Sequence, residues 1–337
     1  MGGVWPYRPQ LTARGAAEQV ERLVHRRRNL AGRPMWHRSD LAIAGSLAAL
    51  LPPSWLLPER SWTSLCRGLA RMPWLIDRAA LDRTAGIIQA ATREPDRQCA
   101  EVTARDLLAA VYELRMQNWR AWRPGGWHPK IALDGEHHLV RALARGRGAI
   151  LWVAHFAFNS NITKIALHRR GYRVSHLSRP EHGFSKTRLG IACLNPVRRV
   201  PEDRCVVQRI VFDRRTPQTA MRAMVRALHA GEIVSITAGA WEGSNLAEGA
   251  LLGGRLALAV GAPRLAALTG AELLPVFSIR DPEVGFRAII EPPIALRIES
   301  PSEEQCAIAA AEYIRRHEPW VWRFPDQWRG WKEWRQA

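Results

Sequence analysis

The chain has 337 residues, 47% of them apolar. That excludes intrinsic disorder and suffices for one large α/β domain or two ordinary ones. Lys and Arg number 49 against 31 Asp and Glu, and the formal charge of +18 excludes an acidic halophile-type protein. Such a charge favours anionic partners: phospholipid head groups, nucleic acid or an acidic carrier protein.

Only four of the 49 cations are Lys, a bias that codon usage in a GC-rich genome also produces. The five cysteines, Cys66, Cys99, Cys193, Cys205 and Cys306, are an odd set without a CxxC pair or a His at zinc spacing. They argue against a disulfide scaffold or a zinc site and fit a reducing cytosol. The sequence implies no metal and no tightly held cofactor.

The opening MGGVWPYRPQLTARG has no apolar core of the secretory type. Residues 10–30 read as a charged surface helix ending in a basic run. The longest apolar stretch is LAIAGSLAALLPPSWLLP, residues 41–58. Pro52-Pro53 is expected to break a helix there before it reaches the ~20 residues a bilayer needs. The stretch suits a membrane-interface segment or a core helix equally well. Helical spacing continues through residues 59–122, with Thr103 as an expected cap. Leu107, Leu108, Val111, Leu114 and Met116 supply an apolar stripe. The loop WRPGGWHPK, residues 122–130, closes a helical N-terminal region spanning residues 1–125.

From residue 126 to 337 the pattern alternates. HHLVRALARG reads as a helix and AILWVAHF as a buried strand. Helix NITKIALHRRG, strand YRVSHLS, strand RCVVQRIVF, helix PQTAMRAMVRALHAG and strand EIVSITA follow. RLALAVGAPRLAALTG reads as one helix, AELLPVFSI and FRAIIEPPIAL as strands. SEEQCAIAAAEYIRRH is a closing helix capped by Ser302. The expected fold is therefore α/β, a mainly parallel central sheet flanked by helices after a helical N-terminal region. Five Trp fall within residues 317–334, beside Arg, a composition suited to a membrane–water interface.

Three places could carry chemistry. His155 ends an apolar strand just before the polar Asn159-Ser160-Asn161, where open α/β sheets place their sites. It reads either as a general base or as a structural histidine satisfied by its neighbours. Arg179, Lys186 and Arg188 lie within ten residues after the next strand and could bind a phosphate or carboxylate. Glu242 is the one acid of the loop Gly239–Asn245.

In order and spacing, GRGAILWVAHF, HLSRP, MVRALHAGEIVSI, GAPRLAALTGAELLPVFSIR, IIEPPI and HEPWVWRFPDQW resemble the lipid A late (lauroyl/myristoyl) acyltransferases of the lysophospholipid acyltransferase superfamily. The resemblance covers roughly residues 80–335. It implies a membrane-associated acyltransferase at the cytoplasmic face of the bacterial inner membrane, peripheral or monotopic. An acyl carrier protein or acyl-CoA would be the donor, and a glycolipid or other lipid acceptor would supply a hydroxyl or amine. Anionic membrane lipids would be the surface partner.

The resemblance makes His155 the general base and Arg179 part of its site. Where the family carries Asp or Glu after four intervening residues, this chain has Ser160. The family's later Pro-Asp pair falls on Ala238-Gly239. Ser160 can accept from an imidazole N–H but supplies no countercharge. Asn159, Asn161, Glu136, Glu181 and Glu242 are candidates to compensate, with Asn159, Arg188 and Glu242 also expected to contact substrate. The alternative is a catalytically degenerate relative that binds acyl chains or membranes. Nucleic-acid binding fits the charge, but no helix-turn-helix, zinc-finger or RNA-recognition pattern accompanies it.

Overall fold

A computed structural model describes residues 22–25, 32–73, 77–213, 216–240, 245–296 and 302–337. Four helices come first: α1 (Arg38–Leu56), α2 (Trp62–Leu69), α3 (Arg78–Thr92) and α4 (Arg97–Arg120). A short strand, β1 (Arg22–His25), precedes them, where a surface helix was expected; the rest of residues 10–30 lies outside the described residues. β1 pairs antiparallel with β7 (Asn245–Leu251).

The alternating region follows as β2 (Ile131–Asp134), α5 (Glu136–Ala144), β3 (Ala149–Val153), α6 (Asn159–Arg169) and β4 (Val174–Ser178). Next come α7 (Arg188–Cys193), α8 (Pro196–Asp203), β5 (Gln208–Val211), α9 (Pro217–His229) and β6 (Ile233–Thr237). After β7 lie β8 (Gly254–Ala259), α10 (Gly261–Thr269), β9 (Glu272–Asp281), β10 (Gly285–Ile290), α11 (Glu303–Arg323) and β11 (Trp334–Gln336). The large sheet has the order β2-β10-β9-β3-β6-β4-β5, and only β9–β10 pair antiparallel. The expected α/β architecture is present.

Strand β3 shows why this sheet is buried on both faces. All five of its residues are apolar and buried. Ile150 and Trp152 join the main core, which α9, α10 and α11 complete. Ala149, Leu151 and Val153 point the other way, towards Leu139 of α5 and Leu167 of α6. The two-residue period divides one apolar run between two cores, as a parallel strand between helical layers requires.

Several local expectations are corrected. Helix α1 does not stop at Pro52-Pro53 but runs 19 residues through both prolines. The two missing amides leave the carbonyls of Ala48 and Ala49, residues on the exposed side, where water can reach them. The end of the helix is capped from the last residue of α4 and the turn after it. Arg120 donates to the Ser54 and Leu57 carbonyls and Arg123 to that of Trp55. Cations at a helix C-terminus also suit its dipole.

Helix α4 starts at an Asp96 cap, not at Thr103, whose hydroxyl donates back to the Cys99 carbonyl at 3.0 Å. RLALAVGAPRLAALTG splits into β8 and α10. β8 forms a hairpin with β7 through Leu252 and Gly253, both at positive φ (50° and 71°).

The tryptophan-rich tail is core rather than surface. Trp328, Trp331 and Trp334 are buried, and β11 pairs with β8 while the Trp334 indole donates to the Leu251 carbonyl. Trp320 and Trp322 pack half-buried against the same core. Exposed large apolar side chains include Leu41, Trp55 and Leu56 of α1. No helix among the described residues is long and apolar enough to cross a membrane.

Candidate active site

The parallel strands β3, β6 and β4 end together at one edge of the sheet, and His155 and Arg179 follow β3 and β4 there. Hydrogen bonds from Ala154 N to Val276 O and from Ala238 N to Val153 O, both 2.8 Å, carry the ladder up to the histidine. The chain then turns sharply into α6. The Asn159 side-chain amide ties that turn by donating to the Ala154 carbonyl at 2.5 Å. The segment after α11 crosses the same edge. Arg329 N donates to the His155 carbonyl at 2.9 Å, Ala157 N to Gln327 O at 2.7 Å, and Phe156 bridges Trp328. His155 is thus half-buried and fixed from two sides by backbone.

Its electrostatic setting is cationic. Burial pushes the imidazole well below its ordinary range, and Arg329, Lys332, Arg198 and Arg179 add to the effect. The ring is therefore neutral at pH 7, the form that accepts a proton. Arg329 is itself lowered to about 10 by burial and by Arg198, Arg115 and Arg179. Lys332 is lowered by burial and Arg329, with Glu333 opposing. Of these cations the sequence pattern had singled out Arg179 alone. Arg198, Arg329 and Lys332 meet it only through the fold.

Behind this group lies a buried ionic network. The Glu202 carboxylate of α8 is wholly buried. It accepts from Lys164 Nζ at 3.0 Å, His182 Nε2 at 2.7 Å, and both Arg209 (3.1 Å) and Arg198 Nε (2.8 Å). Burial works to raise the Glu202 carboxyl, but His182, Lys164 and Arg198 outweigh it and hold it well below the carboxylate range. Burial brings His182 down to about 4 despite Glu202. His182 N in turn donates to the Arg179 carbonyl at 3.1 Å, so the network braces the turn that carries Arg179 and orients Arg198. His176, His182 and Glu202 lie close enough to share a metal. Their donor set does not suit one, because Lys164, Arg209 and Arg198 already occupy the carboxylate and would repel a cation.

The other expected residues are distributed as follows. Ser160 is the second residue of α6, and its side chain lies outside the described structure, as does Glu242. Arg188 opens α7 with an exposed side chain, its amide bound to the Pro34 carbonyl. Asn161 donates to Asn118 at 3.2 Å. Glu136 is engaged by Arg170 and Tyr172, and Glu181 by Arg33.

Residues 107–332 match the family model described as bacterial lipid A biosynthesis acyltransferase. No curated protein matches the chain.

Proposed function

The chain belongs to the bacterial lipid A biosynthesis acyltransferase family, and on that premise we propose that it moves a fatty acyl group from an acyl thioester to a lipid-linked hydroxyl or amine. The observation that carries this reading is the neutral imidazole of His155 at the carboxyl end of β3, with Arg179 acting on it from the same end of β4, two strands along the sheet. In the proposed reaction His155 takes the acceptor's proton as that oxygen or nitrogen attacks the thioester carbonyl. Arg179 stabilises the oxyanion that forms. The carbon–sulfur bond then breaks and the proton passes to the leaving thiolate. Ser160 orients the ring, and Asn159, Arg188 and Glu242 contact substrate.

The donor in this reading is acyl carrier protein or acyl-CoA, since a chain of charge +18 attracts acidic donors. The acceptor is a glycolipid or another amphiphile, met at the cytoplasmic face of the inner membrane. Helix α1 supports that location. From Leu41 to Leu57 it carries no charge, and Leu41 (67%), Leu56 (81%), Trp55 and Leu57 are exposed. Exposed Arg33, Arg38 and Arg60 flank it. An uncharged helical face between cations suits a helix lying in the head-group region of an anionic bilayer.

The test is a radiolabelled acyl-transfer assay on wild type and His155→Ala. Removing a general base is expected to cost 10²–10⁴-fold in rate, about the range known for this role. Retention of more than about a tenth of the activity would remove His155 from it.

One observation favours a second reading, a relative that binds acyl chains or membranes without catalysis: residue 160 is Ser where the family pattern has a carboxylate. Absence of transfer by wild type with every carrier-protein and coenzyme A donor would decide for that reading.

A further inference from the structure

The starts of α1 and α7 are bound together by a compact set of hydrogen bonds. Arg188 N donates to the Pro34 carbonyl at 3.1 Å and Leu189 N to the Met35 carbonyl at 3.0 Å. The Asp40 carboxylate, in the first turn of α1, accepts from the Ser185 and Thr187 hydroxyls at 2.6 and 2.7 Å. All three side chains are buried, and a buried carboxylate held by two hydroxyls is costly to pull apart. Thr187 also caps α7 by accepting from Gly190 N at 3.0 Å. The two helix starts therefore form one unit, although 145 positions separate Asp40 from Ser185.

This unit presents apolar side chains among cations. Met35 (55%), Trp36 (54%) and Leu189 (48%) are exposed, as is Leu41. Along α1 the exposed face continues through Gly45, Ala48, Pro52 and Leu56, at steps of three or four residues that keep to one side of a helix. Helix α7 adds Ala192 and Cys193 to Leu189. Arg33, Arg38, Lys186 and Arg188 are exposed as well. Residues 32–57 and 186–193 contain a single acid, Asp40, and it is buried in the lock.

A partner protein would need polar side chains here for the hydrogen bonds of an interface rim. The exposed residues of α1 from Leu41 to Pro52 carry none. An uncharged strip edged by Trp and cations instead matches an anionic bilayer, whose acyl boundary takes the apolar side chains and whose phosphates meet the cations. We propose that α7 and the segment before α1 join α1 in a single bilayer-contact surface, fixed in shape by the Asp40–Ser185–Thr187 bonds. The surface rests on the bilayer location proposed for α1 and extends it to α7. It also reaches the candidate site, because the loop behind α7 is tied down. Asn195 Oδ1 accepts from Phe184 N at 2.8 Å and Ser185 N at 2.9 Å, and its amide donates to the Glu181 carbonyl at 3.3 Å. His182 N holds the Arg179 carbonyl at 3.1 Å. Seating α7 on the bilayer thus sets the depth of the turn that carries Arg179.

The test uses the full chain with vesicles of phosphatidylcholine, with and without phosphatidylglycerol. Cys193 is exposed on α7, Cys66 and Cys306 are buried, and Cys99 is exposed on α4. A polarity-sensitive maleimide dye goes on Cys193 in a Cys99→Ser, Cys205→Ser chain. The control carries it on Cys99 in a Cys193→Ser, Cys205→Ser chain. About 24 Å of helix separates Cys99 from Arg115, which bonds Ser46 of α1. With phosphatidylglycerol present, the Cys193 dye is expected to shift to the blue and to be quenched by doxyl-labelled lipid, while the Cys99 dye does neither. Leu189→Glu, at an exposed position, is expected to reduce co-sedimentation several-fold at an unchanged melting temperature. Arg38→Gln with Lys186→Gln is expected to weaken it by up to about fivefold for each charge removed, and only on the anionic vesicles.

A Cys193 dye that stays in water while the chain co-sediments overturns the two-helix surface and leaves α1 as the contact. Co-sedimentation of Leu189→Glu equal to that of wild type does the same. Absence of wild-type binding to anionic vesicles overturns both the surface and the α1 location on which it rests. A Leu189→Glu chain that binds vesicles normally but loses affinity for acyl carrier protein would assign the α7 face to the carrier and overturn the bilayer as its occupant.

Discussion

The Arg329 amide donates to the His155 carbonyl at 2.9 Å, so a residue eight positions before Ala337 is fastened to the strand end that carries the proposed base. The contact holds because Trp328, next to it, is buried against Trp331 at a ring separation of 4.8 Å and against His317 at 5.5 Å. The tail is thus part of the site's frame.

Trp328→Ala should therefore lower stability by about 3–5 kcal/mol, the usual cost of emptying a buried Trp position. Thermal denaturation followed by circular dichroism measures this. A change below about 1 kcal/mol would mean that the tail does not hold the site together.

Ser160→Asp places a carboxylate where the family pattern has one. A nearby negative charge favours the imidazolium and raises the pKa of His155, which burial and the surrounding cations hold low. The ascending limb of the rate–pH profile should then move to higher pH, with a gain in maximal rate if the wild type is slowed by the missing charge. An unmoved limb would show that the residue-160 side chain does not reach the ring.

Glu202→Gln removes the one acceptor shared by Lys164, Arg198 and Arg209 and leaves those buried cations without it. Breaking a buried ion network in this way costs about 3–5 kcal/mol. The depressed carboxyl pKa fixes the pH dependence. In the wild type the contribution is full above the unfolded value near 4.5 and is lost as pH falls through the folded value. The variant should therefore be much less stable at pH 7 and approach the wild type in acid, measured by urea denaturation at both pH values. Equal destabilisation at every pH would point to packing instead.

Asp326→Asn should act in the opposite sense. Burial, with Asp106 adding to it, raises the Asp326 carboxyl to about 6. The folded chain therefore binds that proton more tightly than the unfolded one. Stability is lost as pH rises from about 3.8 to about 6, at most about 3 kcal/mol. Replacing the acid by its amide should raise the melting temperature at pH 7–8 and change it little at pH 4. A lower melting temperature at pH 8 would contradict this.

Leu41→Glu combined with Leu56→Glu puts two charges on the exposed apolar face of α1 without emptying the core. Co-sedimentation with anionic liposomes should fall several-fold at low salt while the melting temperature stays unchanged. Wild-type binding should weaken steeply with salt, since each cation near the surface contributes about 1 kcal/mol at most. Equal sedimentation of wild type and variant would exclude α1 as the contact.

The alternation of strand and helix from residue 131 onward was legible because each element satisfies one local rule. β3 is a short apolar run, α9 and α11 carry helical spacing, and Ser302 accepts from Gln305 N as a cap should. His155 could be located in the same way, as the polar residue that ends a buried strand. Where two rules compete locally, only the partner decides. RLALA has the composition of a helix but alternates buried and half-buried as β8, because β7 and β11 supply the hydrogen bonds on either side. The prolines of α1 are tolerated because the carbonyls they leave, of Ala48 and Ala49, face the exposed side, while Arg120 and Arg123, more than 60 residues away, cap the helix end. The tail tryptophans have interfacial composition, yet the main core and β8 bury them. The cations at His155 follow the same logic. Sequence determined the strand, the histidine and the absence of an acid at residue 160. Tertiary structure alone decided that the charges of Arg179, Arg198, Arg329 and Lys332 act on the ring, since the charge a residue meets depends on distance in space and not on separation along the chain.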